Sequence, residues 1–156
     1  IDQRGVLSHE DSRIGSFEGK PGFRLVSADQ TAIGRDIVIT RHDIKEIQLA
    51  KSAIRAGIEV LLKHASLTAC AVNDWVIAGA FGSYLDLKSA IRIGMFPDQP
   101  LERFHQVGNA AGVGAKQMLL SHSRRQLSNQ MVSRVKYIEL TADIDFTDEY
   151  VNAMIF

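Results

Sequence analysis

Cysteine is almost missing from this chain: of 156 residues, only Cys70 carries a thiol. One thiol excludes a disulfide framework, a cysteine zinc cage, or an iron–sulfur cluster assembled from this chain alone. Net charge is missing as well, because 18 Lys and Arg balance 18 Asp and Glu. Nucleic acid and anionic membrane surfaces both call for a basic excess, so neither is expected as the main partner. No apolar run approaches the ~18 residues of a membrane span. No cleavable leader is legible, and the expected location is the cytoplasm. The chain opens on Ile1-Asp2-Gln3 without a methionine, and it is expected to be an excised portion of a longer polypeptide.

What remains is an ordinary soluble composition, 46% hydrophobic and 23% charged, enough to build a core. Residues 1–42 show no sustained period and are punctuated by Gly5, Gly15, Gly19, Pro21, Gly22 and Gly34, with Ser8, His9, Glu10 and Asp11 among the polar residues. Within them, residues 23–26 and 36–40 favour strands and are expected to pair as a hairpin through a loop at 28–34. Residues 43–65 form one long helix, because Ile44, Ile47, Ala50, Ile54, Ile58, Leu61, Leu62 and Ala65 recur at three- and four-residue steps. Thr40 and Asp43 are its capping pair. Ile47, Ile54, Ile58 and Leu61 are expected to pack on the sheet.

Strands at 72–78, 104–107 and 137–140 are expected to alternate with helices at 87–93, through Met118 to Leu120, and at 123–135. A last helix is expected to be capped by Thr147, with Phe146 stapled onto Val151 and with Asp148 and Glu149 at its positive end. Alternation of this kind defines an α/β chain with some parallel pairing. Residues 43–156 are the expected α/β nucleotide-binding part.

Two stretches share one design, an apolar strand, a turn of glycines and small residues, then a helix. The first is Trp75-Val76-Ile77-Ala78-Gly79-Ala80-Phe81-Gly82-Ser83 and the second is Phe104-His105-Gln106-Val107-Gly108-Asn109-Ala110-Ala111. Glycine lets backbone approach a ligand, and a helix amino end favours phosphate. Neither stretch is a dinucleotide fingerprint or a Walker loop. Gly108, Ala111 and Ala115 also lie about one helical turn apart, so a smooth packing or hinge face is an equal alternative for the second. The scattered histidines His9, His42, His64, His105 and His122 lack metal-ligand spacing. Ser83 sits in no nucleophile elbow. Cys70 is expected to be an inert buried thiol, Arg124 and Arg125 a solvated helix face, and Asp143, Asp145, Asp148 and Glu149 an acidic cluster without calcium-loop spacing.

Four stretches in order, residues 43–57, 78–82, 90–97 and 107–115, resemble the C-terminal part of the ATP-dependent reductive activators of corrinoid (vitamin B12) proteins. These belong to the acetate and sugar kinase, Hsp70 and actin (ASKHA) superfamily. The likeness runs the length of the chain and includes Ile1-Asp2 and Tyr137-Ile138-Glu139-Leu140. It implies an actin-like (ribonuclease H-like) ATPase lobe, a mixed sheet with flanking helices, incomplete in this chain. It further implies ATP or ADP with Mg²⁺, an iron–sulfur cluster in a domain outside this chain, and a corrinoid protein as the target, returned from Co(II) to Co(I). Gly79, Ala80, Phe81 and Gly82 would match the adenosine turn. Gly108, Asn109, Ala111, Gly112 and Ala115 would match the connecting helix between lobes.

Gln48 and Lys51, on the polar side of the long helix, are expected either to edge the adenine or to be solvated. Two features depart from the pattern. Ala80 stands where the family has a second glycine, and the DxGT-like phosphate loops that would hold Mg²⁺ are absent. This chain alone is therefore not expected to catalyse. The rival readings are a non-catalytic docking or dimerisation module, which would form a homodimer, and an ATPase activator of a dehydratase-type radical enzyme.

Overall fold

The computed structural model describes residues 2–7 and 11–156. Ile1, Ser8, His9 and Glu10, with the expectations attached to them, lie outside the described residues. Three strands, β1 (Ile14–Phe17), β2 (Lys20–Val26) and β3 (Ile37–Thr40), form an antiparallel sheet in sequence order. The expected hairpin is β2–β3, in register at Phe23↔Ile39. β1 was not legible as a strand, because Gly15 and Ser16 interrupt any apolar alternation; it exists by pairing with β2 at Ile14↔Phe23.

Helix α1 (Arg41–Ala65) begins at the expected cap. The Thr40 hydroxyl accepts from the Asp43 amide, and the Asp43 carboxylate accepts from the Thr40 amide at 2.8 Å. That bond and the Thr40 hydroxyl hold the Asp43 carboxyl below its ordinary value. Ser66, in the left-handed region at φ 53, ends the helix.

The face that α1 buries follows its apolar stripe only in part. Ile47 and Leu61 are 43% and 51% exposed, while Ile54 and Ile58 pack against the core as expected. The fully buried positions are Lys51, Ser52, Ala56 and Val60, with Ile44 and Leu62 beside them. The reason lies at the far end of the chain. Helix α6 (Phe146–Asn152) packs along α1, and the small Ser52 and Ala56 permit a close approach on the buried side.

Strands β4 (Trp75–Ala78) and β5 (Phe104–Gly108) pair in parallel, as the alternation required. β4 begins three residues later than expected, after a 3-10 turn at residues 69–71, and is only half-buried, with Val76 exposed. Between the two strands run α2 (Phe81–Tyr84) and α3 (Leu87–Arg92). Asp86 caps α3 by accepting from the Ser89 amide at 2.8 Å, and its carboxyl is held low by Ser89. The core lies here: Ala90, Met95, Phe96 and Phe104 are buried, and Phe104 stacks on Trp75 at 6.0 Å.

Helices α4 (Ala110–Leu120) and α5 (His122–Val132) follow, and neither contains a buried residue. Residues 137–140 form no strand; Tyr137 bonds Glu139 locally, and residues 140–142 make one 3-10 turn. Thr147 does not cap α6. That helix starts two residues earlier than expected, with Asp145 at the cap position, and Phe146 meets the Tyr150 ring at 6.1 Å. Asp148 and Glu149 do occupy its first turn. The acidic cluster is consumed by α1: Lys63 lies 2.8 Å from Glu149 and 3.3 Å from Asp145, and His64 lies 2.6 Å from Asp143. Cys70 is exposed, not buried, because its 3-10 turn lies at the surface.

The carboxylates of Asp43, Asp86 and Asp143 are all held below their ordinary values in the fold. Their contribution is present above the unfolded carboxylate range and is lost as pH falls through the folded values. The thermal midpoint is accordingly expected to drop below about pH 4, as followed by circular dichroism against pH. Thr40→Ala, which removes the cap acceptor of α1, is expected to cost about 1 kcal/mol in urea unfolding.

Candidate functional site

Two parallel strands release the chain at the same edge, and here both releases are glycine turns. The register Ile77↔Gln106 and Ala78↔Gly108 brings residues 79–82 and 108–112 side by side at the carboxyl ends of β4 and β5. In open α/β sheets this edge is where ligands bind. A backbone bond locks the two turns together, with the Gly79 amide donating to the Gly108 carbonyl at 2.6 Å. Both glycines need their freedom: φ is +76° at Gly79 and +59° at Gly108.

The glycines do different work. A Cβ added at Gly79 would meet nothing within 4 Å, so the backbone there faces open space. A Cβ at Gly82 would lie 2.3 Å from the Ile77 carbonyl oxygen and 2.9 Å from the Gly108 nitrogen. Gly82 is buried in this way and has no positive φ, so its missing side chain serves packing, not approach. Phe81 is exposed beside it. Ala80, the departure from the family pattern, takes ordinary helical angles at the start of α2 and needs no glycine.

The second turn opens α4. The Asn109 side-chain oxygen accepts from the Gly112 amide at 2.9 Å, capping the helix. A Cβ at Gly112 would lie 2.6 Å from the Asn109 amide nitrogen, so Gly112 makes room for the cap. Ala111 and Ala115 are exposed, and among the described residues no second helix buries the face they share with Gly108. Gln106 was not singled out in the sequence. Its amide donates to the Phe81 and Leu85 carbonyls at 3.2 and 2.8 Å, tying α2 onto β5. A polar residue between Phe104 and Val107 was the only signal for it.

Lys51 is buried and Gln48 half-buried, and no bond joins either to the glycine turns. Gln48 donates to the Met154 carbonyl at 3.0 Å. The Lys51 ammonium donates to the Ala153 and Ile155 carbonyls at 2.6 and 2.5 Å and lies 5.1 Å from the centre of the Phe156 ring. At 1% exposure, burial is the main cause that pushes its pKa below the ordinary lysine value, with the Arg55 charge adding to it. The reason sequence reasoning misplaced both residues is that their partners lie more than 100 positions away.

The mixed α/β architecture, with a parallel strand pair ending in two bonded glycine turns, is that of an actin-like domain of the ASKHA class. The chain belongs to the family described as the C-terminal domain of RACo, the ASKHA domain, whose model matches residues 1–156. The solved structure of a reductive activator for a corrinoid, iron–sulfur protein superposes with a TM-score of 0.87 at 35% identity, covering 100% of this chain and 25% of that one. A corrinoid activation enzyme, RamQ, of Eubacterium limosum is 35% identical over 134 residues, 86% of this chain and 23% of its own length. A [Co(II) methylated amine-specific corrinoid protein] reductase of Methanosarcina barkeri is 29% identical over 111 residues, 71% and 19% of the two chains. This chain therefore spans about a quarter or less of the length of these relatives.

The two glycines of the first turn are expected to respond differently to substitution. Gly82→Ala meets backbone that must shift, and a loss of roughly 1–3 kcal/mol in urea unfolding is expected. Lys51→Met keeps volume but leaves two carbonyls unpaired. It is expected to cost roughly 1–3 kcal/mol and to speed amide exchange in residues 153–156.

Proposed function

We propose that this chain is the adenosine-contacting part of the ATPase lobe of a reductive activator that returns Co(II) corrinoid proteins to Co(I). The observation that carries the reading is the pair of bonded glycine turns at the carboxyl ends of β4 and β5, with Gly79 facing open space. The functions printed in the relatives' names support the corrinoid target.

The residues present fit the nucleoside end of a nucleotide. Gly79 and Ala80 would admit it along the backbone, Phe81 offers an exposed ring for contact, and Gly108 and Asn109 flank it at the amino end of α4. Gly82, Gly112 and Gln106 act as positioning residues, holding the turns in shape. Neither turn, from 79 to 83 or from 108 to 115, contains a carboxylate, so Mg²⁺ and the terminal phosphate would be handled by residues elsewhere in the activator. Nucleotide binding and hydrolysis in the complete lobe supply the driving force for an uphill one-electron reduction of Co(II). The electron would come from an iron–sulfur cluster in another domain, since one thiol cannot hold one. Gln48 and Lys51 have no part in this reading, being engaged with the last residues of the chain.

Gly79→Asn tests the site. Asparagine tolerates positive φ better than most residues, so the turn is expected to survive while its side chain fills the open space. In the complete activator, ATP and ADP binding are expected to weaken by a similar factor of about ten, near 1.4 kcal/mol, because both share the adenosine. Calorimetry with each nucleotide, alongside thermal unfolding, reads this directly. Unchanged binding by a folded variant would remove the glycine turn from the site. A loss for ATP alone would move the turn to the γ-phosphate. The isolated chain is expected to show no magnesium-dependent ATP turnover above background.

A further inference from the structure

We propose that a second cavity, between the amino end of α1 and the start of β2, binds a small organic phosphate. The cavity has a volume of about 530 Å³ and shares no lining residue with the glycine turns. That size falls within the range of small-molecule sites. Arg4, Lys20, Arg41 and Lys45 line it, and among the described residues no carboxylate does. In a chain whose charges balance overall, four permanent cations around one concavity are a local excess.

The nearby acids do not cancel that excess. Asp2 accepts from the Arg4 and Val6 amides and lies 3.5 Å from the Arg4 guanidinium, so Arg4 is partly compensated. Asp43 is committed to Thr40, with His42 and Lys20 contributing only the smallest part of the lowering of its pKa. Glu46 lies 3.9 Å from His42. Among the described residues, no acid forms an ion pair with Lys20, Arg41 or Lys45.

Arg41 and Lys45 are four residues apart on α1, so they share one face and can both reach a single dianion. An arginine fork matches phosphate oxygens in pairs, and three cations without ion pairs exceed what one carboxylate would neutralise. The rest of the lining combines the apolar Pro21, Leu49 and Met154 with the polar Thr40, His42 and Gln48, and Met154 is held in place through its carbonyl by Gln48. Cations for the phosphate beside Pro21, Leu49 and Met154 for an apolar body suit a phosphate ester. The end of α1 itself is not what makes the site, since the Asp43 amide is already taken by the Thr40 hydroxyl.

Phenyl phosphate titrated into the 156-residue chain at low ionic strength tests the proposal. Saturable one-to-one binding is expected by calorimetry, weakening as salt is added and at least several-fold tighter than inorganic phosphate. Arg41→Glu/Lys45→Glu is expected to lower the affinity at least about tenfold. Acidic residues suit the first turns of a helix, so this variant is expected to fold, and thermal unfolding checks it. Arg41→Gln/Lys45→Gln repeats the measurement if the charge reversal unfolds the chain, with a several-fold loss expected. Arg134→Glu/Lys136→Glu changes net charge equally at a distant place in the sequence and is expected to leave affinity unchanged. No saturable binding by the wild type overturns the site. Undiminished binding by a folded cavity variant overturns it too, as does an equal loss in the Arg134/Lys136 control. Equal affinity for phenyl phosphate and inorganic phosphate overturns the organic ligand.

Discussion

A buried ammonium must find acceptors, and Lys51 finds them in the last residues of the chain. Its two bonds to the Ala153 and Ile155 carbonyls, with the Phe156 ring nearby, fasten the carboxyl terminus to the middle of α1. An unpaired lysine at that depth would be severely penalised, so these bonds decide which face of α1 turns inward. Helix α1 is in turn the element to which the other parts attach. Its first turns meet β2 and β3, Ile54 and Ile58 reach the core under β4 and β5, and Lys63 and His64 hold the acidic residues that lead into α6.

The glycine turns depend on this frame indirectly. Core residues Ala90, Phe96 and Phe104 set the position of β5 beside β4, and parallel pairing then brings the two turns to one edge. What holds the turns is local: the Gly79 to Gly108 bond, the Gln106 amide on two carbonyls, and the Asn109 cap. Gly79 and Gly114 have open space where a Cβ would stand, while Gly82 and Gly112 are glycine because a neighbour occupies the space. One sequence feature, a glycine-rich turn, thus divides into open backbone and internal packing.

The α4–α5 pair stands apart energetically. Two helices of eleven residues with nothing buried gain little from tertiary packing, which is where helical stability in proteins mostly comes from. Val113, Leu119, Leu120, Met131 and Val132 are all exposed on them. No Asp or Glu occurs between Glu102 and Glu139, so this arm is apolar and cationic throughout. In contrast, the acidic residues that follow it are spent on α1.

Local and periodic features were legible before any coordinates. The length of α1, its Thr40–Asp43 cap, the β2–β3 hairpin and the order of strand and helix around both glycine turns all rest on neighbours within a few residues, where pattern and propensity act. The family resemblance was carried by the same short stretches. Three-dimensional structure alone decided the rest. β1 exists because β2 offers it an edge, and residues 137–140 lack strand structure despite their composition. Lys51 is buried, against every expectation for its type, because residues 153–156 return across more than 100 positions to meet it. Whether a glycine admits a ligand or a backbone neighbour depends on what stands opposite its missing Cβ, and what stands opposite is set by the packing of distant segments.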